Sequence, residues 1–438
     1  MSKRRLIPHT SSPIPEPPLS PQSSVLSPES VLSPESVLSP QSWLDSLQNS
    51  GIRPGLGRIR ALLRSLGHPE RQYESIVVAG TNGKGSTSAT VASILKESGY
   101  RAGLYTSPHL VDLRERWLID GAMIEPELLE RSIEQLRAAA DRVAISPTYF
   151  EALTVIAFIA FQLAGCEIAV LEVGMGGRLD ATNVVRPLAA VITPIGFDHM
   201  EYLGATIRKI AMEKAGIIHR GAIVLTSNDD PVILSVIRKR AEKFSDPFIV
   251  VDEEHDTPLA GEFQRRNVAL AVRTARELMP RLPRITEETI ERGVARTRWR
   301  GRLEHLHVNG KDVWIDGCHN PHAVNAVIPF IADHVPRPRL LVFGIMSDKD
   351  VVEVARPLFP LFDRIIVTEP YPPRSARAET LVEIANILGV PAIAEPRPED
   401  ALRRAMDWDG RAVFIGGSLY LAGAAVEYFM RSAGVSPA

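Results

Sequence analysis

The stretch VVAGTNGKGSTS, residues 77–88, joins an apolar run (Ile76, Val77, Val78, Ala79) to a helical run (Thr87 to Glu97). Between them lie Gly80, Thr81, Asn82, Gly83, Lys84, Gly85 and Ser86. Glycines let backbone N–H groups curl around phosphate oxygens. The following helix presents its positive N-terminal end, and the lysine reaches the outer phosphates. This pattern points to a nucleoside triphosphate, ATP or GTP. A glycine-rich turn with no ligand is the plainer alternative, and the order strand, glycines, lysine, helix argues against it. The loop departs from the standard Walker pattern twice. Val78 stands where glycine is expected, and Gly85 separates Lys84 from the hydroxyls of Ser86 and Thr87. The residue directly after the lysine ordinarily supplies a hydroxyl to Mg2+, so a hydroxyl elsewhere has to do so here.

The other chemically able residues follow further apolar runs. Ser107 comes just after RAGLYT (101–106). EIAVLEV (167–173) holds Glu172 and leads to Asp180, Ala181, Thr182 and Asn183. AAVITPI (189–195) leads to Asp198 and His199. Ser107, Glu172 and His199 can converge on one metal, although singly a strand-end Glu reads as a solvated cap and a loop His as structural. Lys214 sits among apolar neighbours in IAMEKAGII (210–218). A buried ammonium is costly unless paired or modified, and the alternative is a helix-surface lysine beside Glu213. IDGCHNP (315–321) sets Asp316, His319 and Asn320 after another strand-like run, and IGGSLYLAG (415–423) adds Ser418 and Tyr420. Cys318 reads as a small buried residue rather than an activated thiolate.

These residues need a scaffold of alternating strands and helices. Strands are expected at 75–80, 101–106, 167–173, 189–195 and 222–227, and again at 312–316, 339–344, 364–368 and 412–416. Their near-continuous Val/Ile runs suit strands buried on both faces. Helices are expected over Pro126 to Val143 and Pro147 to Ala164, each opening on a first-turn proline. The result is an α/β protein with largely parallel sheets. Its first 42 residues read as a disordered Pro/Ser-rich extension, carrying VLSPES at 25–30 and 31–36 and VLSPQS at 37–42. Folded structure is expected from about Trp43. A P-loop nucleotide domain would span 43–297 and a smaller Rossmann-like domain 298–438.

Composition sets outer limits. A chain of 438 residues with 45% hydrophobic and 23% charged content is an ordinary soluble protein of two domains. A net charge of −2 argues against nucleic-acid binding by bulk positive charge. Two cysteines, Cys166 and Cys318, cannot build a disulfide framework, which suits a reducing cytoplasm. The apolar run Phe150 to Ala164 is short for a membrane span and reads as a buried helix, and no secretory signal opens the chain.

Ten segments, in order from about residue 43 to the end, resemble the folylpolyglutamate synthase/dihydrofolate synthase family of the Mur ligase superfamily. They are GTNGKGST (80–87), TSPHL (106–110), TYFEALT (148–154), LEVGMGGRLDATN (171–183), DHMEYLG (198–204), EKAGII (213–218), EFQRRN (262–267), RGRLE (300–304), DGCHNP (316–321) and GSLYL (417–421). The resemblance implies an ATP-dependent ligase that phosphorylates a substrate carboxylate and then joins it to the amine of L-glutamate. The carboxylate belongs to dihydropteroate or is the γ-carboxylate of a reduced folate. By resemblance, residues 80–86 hold the ATP phosphates, with Asn267, Arg302 and Asp316 also on ATP. Ser107, Glu172 and His199 match the Mg2+ ligands, and Lys214 matches a carbamylated lysine. His319, Ser418 and Tyr420 match residues that receive glutamate. Thr148, Phe150, Asp180 and Ala181, with the loop from Arg53 to Leu56, match positions lining the pterin site. Lys84, His199, Lys214, Asp316 and His319 are the expected catalytic set. The family implies a monomer acting on small molecules, without nucleic acid or membrane. Three positions depart from the pattern: Cys318 for alanine, Arg300 for proline and Gly57 for glutamate. The competing readings are polyglutamylation alone, another Mur-type amino-acid ligase, and a nucleotide-gated switch. The last lacks an Asn-Lys-x-Asp guanine motif, since Ser347-Asp348-Lys349-Asp350 has no asparagine.

Overall fold

The strands are short, apolar and mostly buried on both faces, so each sheet lies between two helical layers. The computed structural model describes residues 39–244 and 246–433. The first sheet has eight strands: β1 (Glu74–Ala79), β2 (Ala102–Tyr105), β3 (Trp117–Ile119), β4 (Ala122–Met123), β5 (Ile168–Glu172), β6 (Ala189–Ile192), β7 (Ile223–Thr226) and β8 (Phe248–Val250). Their order is β4-β3-β2-β5-β1-β6-β7-β8. All pairings are parallel except those of β3 with β2 and β4. β1 is central, and its register sets Val78 beside Glu172 on one side and Val191 on the other.

Alternate residues of β1 enter two different cores. Val77 and Ala79 pack on the side of α1 (Pro40–Ser46), α2 (Gly57–Ser65), α4 (Pro126–Val143), α5 (Tyr149–Leu163), α7 (Ile207–Lys214) and α8 (Pro231–Glu242). Ile76 and Val78 pack on the side of α3 (Lys84–Glu97), α9 (Glu262–Leu278) and α10 (Glu287–Arg296). Burial on both faces is why these strands show no polar alternation. A one-turn helix, α6 (Met200–Leu203), follows β6.

The second sheet has six strands: β9 (Glu304–Val308), β10 (Lys311–Ile315), β11 (Arg339–Phe343), β12 (Arg364–Val367), β13 (Ala392–Ala394) and β14 (Ala412–Gly416). Their order is β13-β12-β11-β14-β10-β9, parallel except for the β9–β10 hairpin. One face is covered by α11 (Pro321–His334), α12 (Val351–Leu358) and α13 (Ala378–Ile387). The other is covered by α14 (Pro398–Asp407) and α15 (Leu419–Ala433).

Several expectations need correction. Helix α1 begins at Pro40, so residues 40–42 are helical rather than part of a disordered extension. Proline is tolerated in a first turn, and fully buried Leu44 anchors the helix. Residues 1–38, with most of the hexapeptide repeat, lie outside the described residues. Pro147 is not a first-turn residue, because α5 starts at Tyr149 behind an N-cap at Thr148. Thr148 accepts from the Glu151 N–H at 3.2 Å and Glu151 accepts from the Thr148 N–H at 2.8 Å, a reciprocal cap that sets the start. Helix α3 begins at Lys84, three residues before the expected run. Strands β3, β4, β8, β9 and β13 were not expected from the sequence. They are two to five residues long and lie at or next to sheet edges, where so short a strand carries no long apolar run.

Candidate active site

The loops after β1, β2, β5, β6 and β7 open toward the loop after β10, and a cavity of about 670 Å³ lies between them. Gly83 caps α3 in the left-handed region at φ 82°. A Cβ there would stand 2.3 Å from Asn267 Oδ1, so only glycine lets α9 close on the loop. Gly85 is tight for another reason: a Cβ would meet the Trp299 indole at 2.7 Å. Thr81 braces the loop, donating its hydroxyl to Gly196 O at 3.1 Å and accepting from the Gly196 N–H at 3.0 Å. Lys84 Nζ donates to Thr81 O at 3.1 Å, beside the free N–H groups of the first turn of α3.

Ser107, Glu172 and His199 line this same cavity. Glu172 is buried at the end of β5 and accepts from the Ser107 N–H at 3.3 Å. Burial pushes its carboxyl up, against the pull of Lys84. Burial likewise holds the His199 imidazole down at about 4, despite the adjacent Asp198. His199 is therefore neutral near pH 7, the form that ligates metals. Among the described residues no three His, Cys, Asp or Glu side chains form a metal cage by themselves. One hydroxyl, one carboxylate and one imidazole fit a cation that keeps water and phosphate oxygens in its shell, the habit of Mg2+.

Lys214, at the end of α7, is 4% exposed and donates to Gly80 O at 2.6 Å. Burial and then repulsion from Lys84 bring its ammonium down to about 7. Asp316, at the end of β10, is also buried and accepts from the Leu303 and Cys318 N–H groups at 2.9 and 2.8 Å. Arg302 lies beside it on the cavity wall, its Nη1 donating to Gly301 O at 2.9 Å. Cys318 is buried and its thiol is pushed well up by burial, so it is no activated thiolate.

The two sheets meet through polar contacts across the cavity. Asn82 and Asn320 exchange amide hydrogen bonds, both 3.1 Å. Asn82 Nδ2 also lies 2.8 Å from His322 Nδ1. Asp198 pairs with Lys349 at 2.7 Å and lies 3.8 Å from His319 Nε2. Burial opposes its charge, but His319, His199 and Lys349 together hold its carboxyl well below the usual range. Sequence reasoning missed Lys349 and His322 as site residues, and it missed Gln264. Gln264 Nε2 and Ser227 Oγ line the cavity, buried and without a partner among the described residues. Gln264 falls within the EFQRRN segment (262–267), and the signal for Ser227 is its place directly after β7.

The remaining expected residues stand outside that wall. Ser418 is buried and its Oγ accepts from the Leu421 N–H at 3.0 Å, so it caps α15. Tyr420 is part-exposed and stacks on Tyr371 with ring centroids 4.8 Å apart. Thr148 is spent on the α5 cap, and Phe150 packs where a Cβ on Gly174 would come within 2.4 Å of its ring. Asp180 is buried and accepts from the Met175 and Thr182 N–H groups, both at 3.0 Å. Ala181 is buried, Arg53 is exposed, and Leu56 is half-buried at the start of α2. Among the described residues no helix is long and apolar enough to cross a membrane.

The Mur ligase middle domain matches residues 78–271 and the Mur ligase glutamate ligase domain matches residues 301–419. The chain is 33% identical over 411 residues to the dihydrofolate synthase/folylpolyglutamate synthase of Bacillus subtilis, covering 86% of this chain and 95% of that protein. It is 34% identical over 405 residues to the folylpolyglutamate synthase of Lacticaseibacillus casei, covering 84% and 92%. Among solved structures, Mycobacterium tuberculosis folylpolyglutamate synthase complexed with ADP and AMPPCP superposes with a TM-score of 0.82 at 31% identity, over 91% of this chain and all of that one. Matches of this extent, over both sheets, show that the chain belongs to the folylpolyglutamate synthase/dihydrofolate synthase family of Mur ligases.

Proposed function

We propose that the protein is an ATP-dependent ligase that adds L-glutamate to dihydropteroate and to the γ-carboxylate of reduced folates. The observation that carries this reading is one cavity joining the phosphate loop, Glu172 and His199 to Asp316 and His319 of the second sheet. The γ-phosphoryl group passes to the substrate carboxylate, giving an acyl phosphate and ADP. The glutamate amine then attacks the carbonyl, and amide and phosphate result. Both partners in the first step are anions, so the protein's task is neutralisation and positioning. Lys84 and the free N–H groups of α3 face the phosphates. The orphaned Gln264 Nε2 and Ser227 Oγ suit the polar edges of a bound nucleotide. Ser107, Glu172 and His199 would hold Mg2+, which supplies charge neutralisation between the phosphates when bound. Lys214, whose ammonium gives up its proton at about pH 7 rather than 10.5, is the side chain suited to carbamylation, and as a carbamate it would present an anion toward that group. Thr148, Phe150, Asp180 and Ala181 with Arg53 to Leu56 would surround the pterin, and His319, Ser418 and Tyr420 the incoming amino acid. The reading takes the enzyme as a cytoplasmic monomer.

Incorporation of labelled glutamate by the purified protein, run in parallel on dihydropteroate and tetrahydrofolate, tests the reading. Product on both is expected. Product on tetrahydrofolate alone would restrict the enzyme to chain extension and implicate the loop at Gly57. Turnover of neither would overturn the folate assignment.

A further inference from the structure

A second lobe of about 420 Å³ opens off the main cavity and shares Asp198, His199 and His319 with it. One wall is apolar, formed by Ile52, Phe197, Met200 and Tyr202, all about half exposed. The facing wall comes from two loops of the second sheet, those holding Ser347 to Asp350 and Arg374. The loops are tied together: Ser347 donates its N–H and its hydroxyl to Arg374 O at 2.9 and 3.0 Å, and Met346 bridges Ser375. The backbone beneath Arg374 is therefore fixed while its side chain stays exposed.

The lobe holds two cations, and they differ in occupation. Lys349 is half of a buried pair with Asp198 and also reaches Asp348 at 3.8 Å. Arg374 forms no ion pair among the described residues. Its guanidinium lies 5.8 Å from the centroid of Tyr371, the ring that stacks on Tyr420. An unpaired guanidinium on a fixed loop beside an aromatic pair is a receptor for a planar anion, and carboxylate is the anion whose geometry its donor fork matches.

We propose that Arg374 is a specificity-determining residue that binds a carboxylate of a glutamyl unit in this lobe. The inference rests on the ligase reading above. The unit has two possible sources, the incoming amino acid and the tail of a substrate already carrying glutamate, and both present the same group to the guanidinium. A neutral side chain at 374 would leave that carboxylate without an unpaired cation in the lobe.

The test is steady-state kinetics of Arg374→Ala and Arg374→Lys, with glutamate varied at saturating ATP. One arm uses dihydropteroate, which carries no glutamate, and the other a triglutamylated tetrahydrofolate. Loss of one charge-assisted contact predicts a rise in KM of about 10- to 100-fold for Arg374→Ala, with kcat changed less than about threefold and the KM for ATP unmoved. The lysine variant should recover part of the loss. A raised glutamate KM in both arms assigns the contact to the incoming amino acid. A raised KM for the triglutamylated substrate alone assigns it to the tail. Loss of discrimination against L-glutamine in the variant would support the first assignment further. Turnover by all forms with neither KM moved would overturn the role of Arg374 while leaving the ligase reading intact. No glutamate incorporation by the unsubstituted protein would overturn both.

Discussion

Lys214 carries the most informative charge in the site. Its ammonium is brought from the ordinary 10.5 to about 7 by burial, with Lys84 adding repulsion. Between those values the unfolded chain binds the proton and the folded chain does not, so this residue's contribution to stability improves as pH rises and is most adverse below about 7. Replacing Lys214 with Met should flatten the stability curve over that window, which melts at several pH values would reveal. The same neutral amine is the form that reacts with CO2. Protein stripped of CO2 should regain ligase activity on adding bicarbonate, faster at about pH 8 than about pH 6. Lys214→Ala should lose the response, and NMR of the intact protein loaded with isotope-labelled bicarbonate should show one carbamate carbon that the variant lacks. Gly83 makes a steric prediction. Alanine there meets Asn267 Oδ1 and keeps a left-handed φ that costs an L-residue about 1–2 kcal/mol. The variant should melt lower, and its KM for ATP should rise on the order of 10-fold, since misplacing the loop by about 1.4 kcal/mol is enough.

Elements place these residues, and the helix that carries Thr148 shows how. Helix α5 is almost wholly buried, so its first turn has no water to satisfy its N–H groups, and the Thr148–Glu151 box does so instead. Thr148→Ala should cost about 1 kcal/mol in urea unfolding through the lost cap. A raised KM for the pterin substrate with unchanged stability would contradict that role. The box is written in the sequence as TYFE, and it, rather than a first-turn Pro147, sets the start two residues later. Where the governing force is burial on both faces, Val/Ile runs mark the strands: β1, β5, β7, β11 and β14 match them to within one residue at each end, and β6 stops three residues short of Ile195. Edge strands escape this logic. EHLHV of β9 sets polar residues among apolar ones, with His305 and His307 exposed, and only its hairpin with β10 makes it a strand. The site divides likewise. Residues at or just beyond strand ends, such as Glu172, Ser107 and Asp316, can be found by position, because parallel sheets put ligands there. Asn267 is mid-helix and Arg302 lies in a linker, so only the family resemblance pointed to them.

At the scale of the whole molecule, two sheets must approach before a nucleotide and an amino acid can share one cavity. Polar contacts across the cavity, among them the Asn82–Asn320 amide pair and the Asp198–Lys349 ion pair, join apolar ones such as Leu110 against the core of the second sheet. Both side chains of the ion pair are about nine-tenths buried, so removing one partner leaves the other charge without water or counter-ion. Breaking a pair of this kind costs about 3–5 kcal/mol, whereas replacing both partners costs far less. Asp198→Asn should therefore loosen the approach of the two sheets more than the double variant Asp198→Asn/Lys349→Met does. Small-angle scattering should register this as a larger radius of gyration in the single variant. Ligands supply the opposing test. An ATP analogue with a pterin substrate should draw the sheets together and exclude water from the acyl phosphate, which is otherwise lost to hydrolysis. The unsubstituted protein should compact when both are added. The Asp198→Asn variant should start wider, compact by more, and hydrolyse ATP without forming amide at a raised rate. Identical scattering profiles with and without ligands would mean the cavity is already closed by these polar contacts. Water exclusion would then have to come from the substrates themselves, and the uncoupled hydrolysis of the variant should disappear with the compaction.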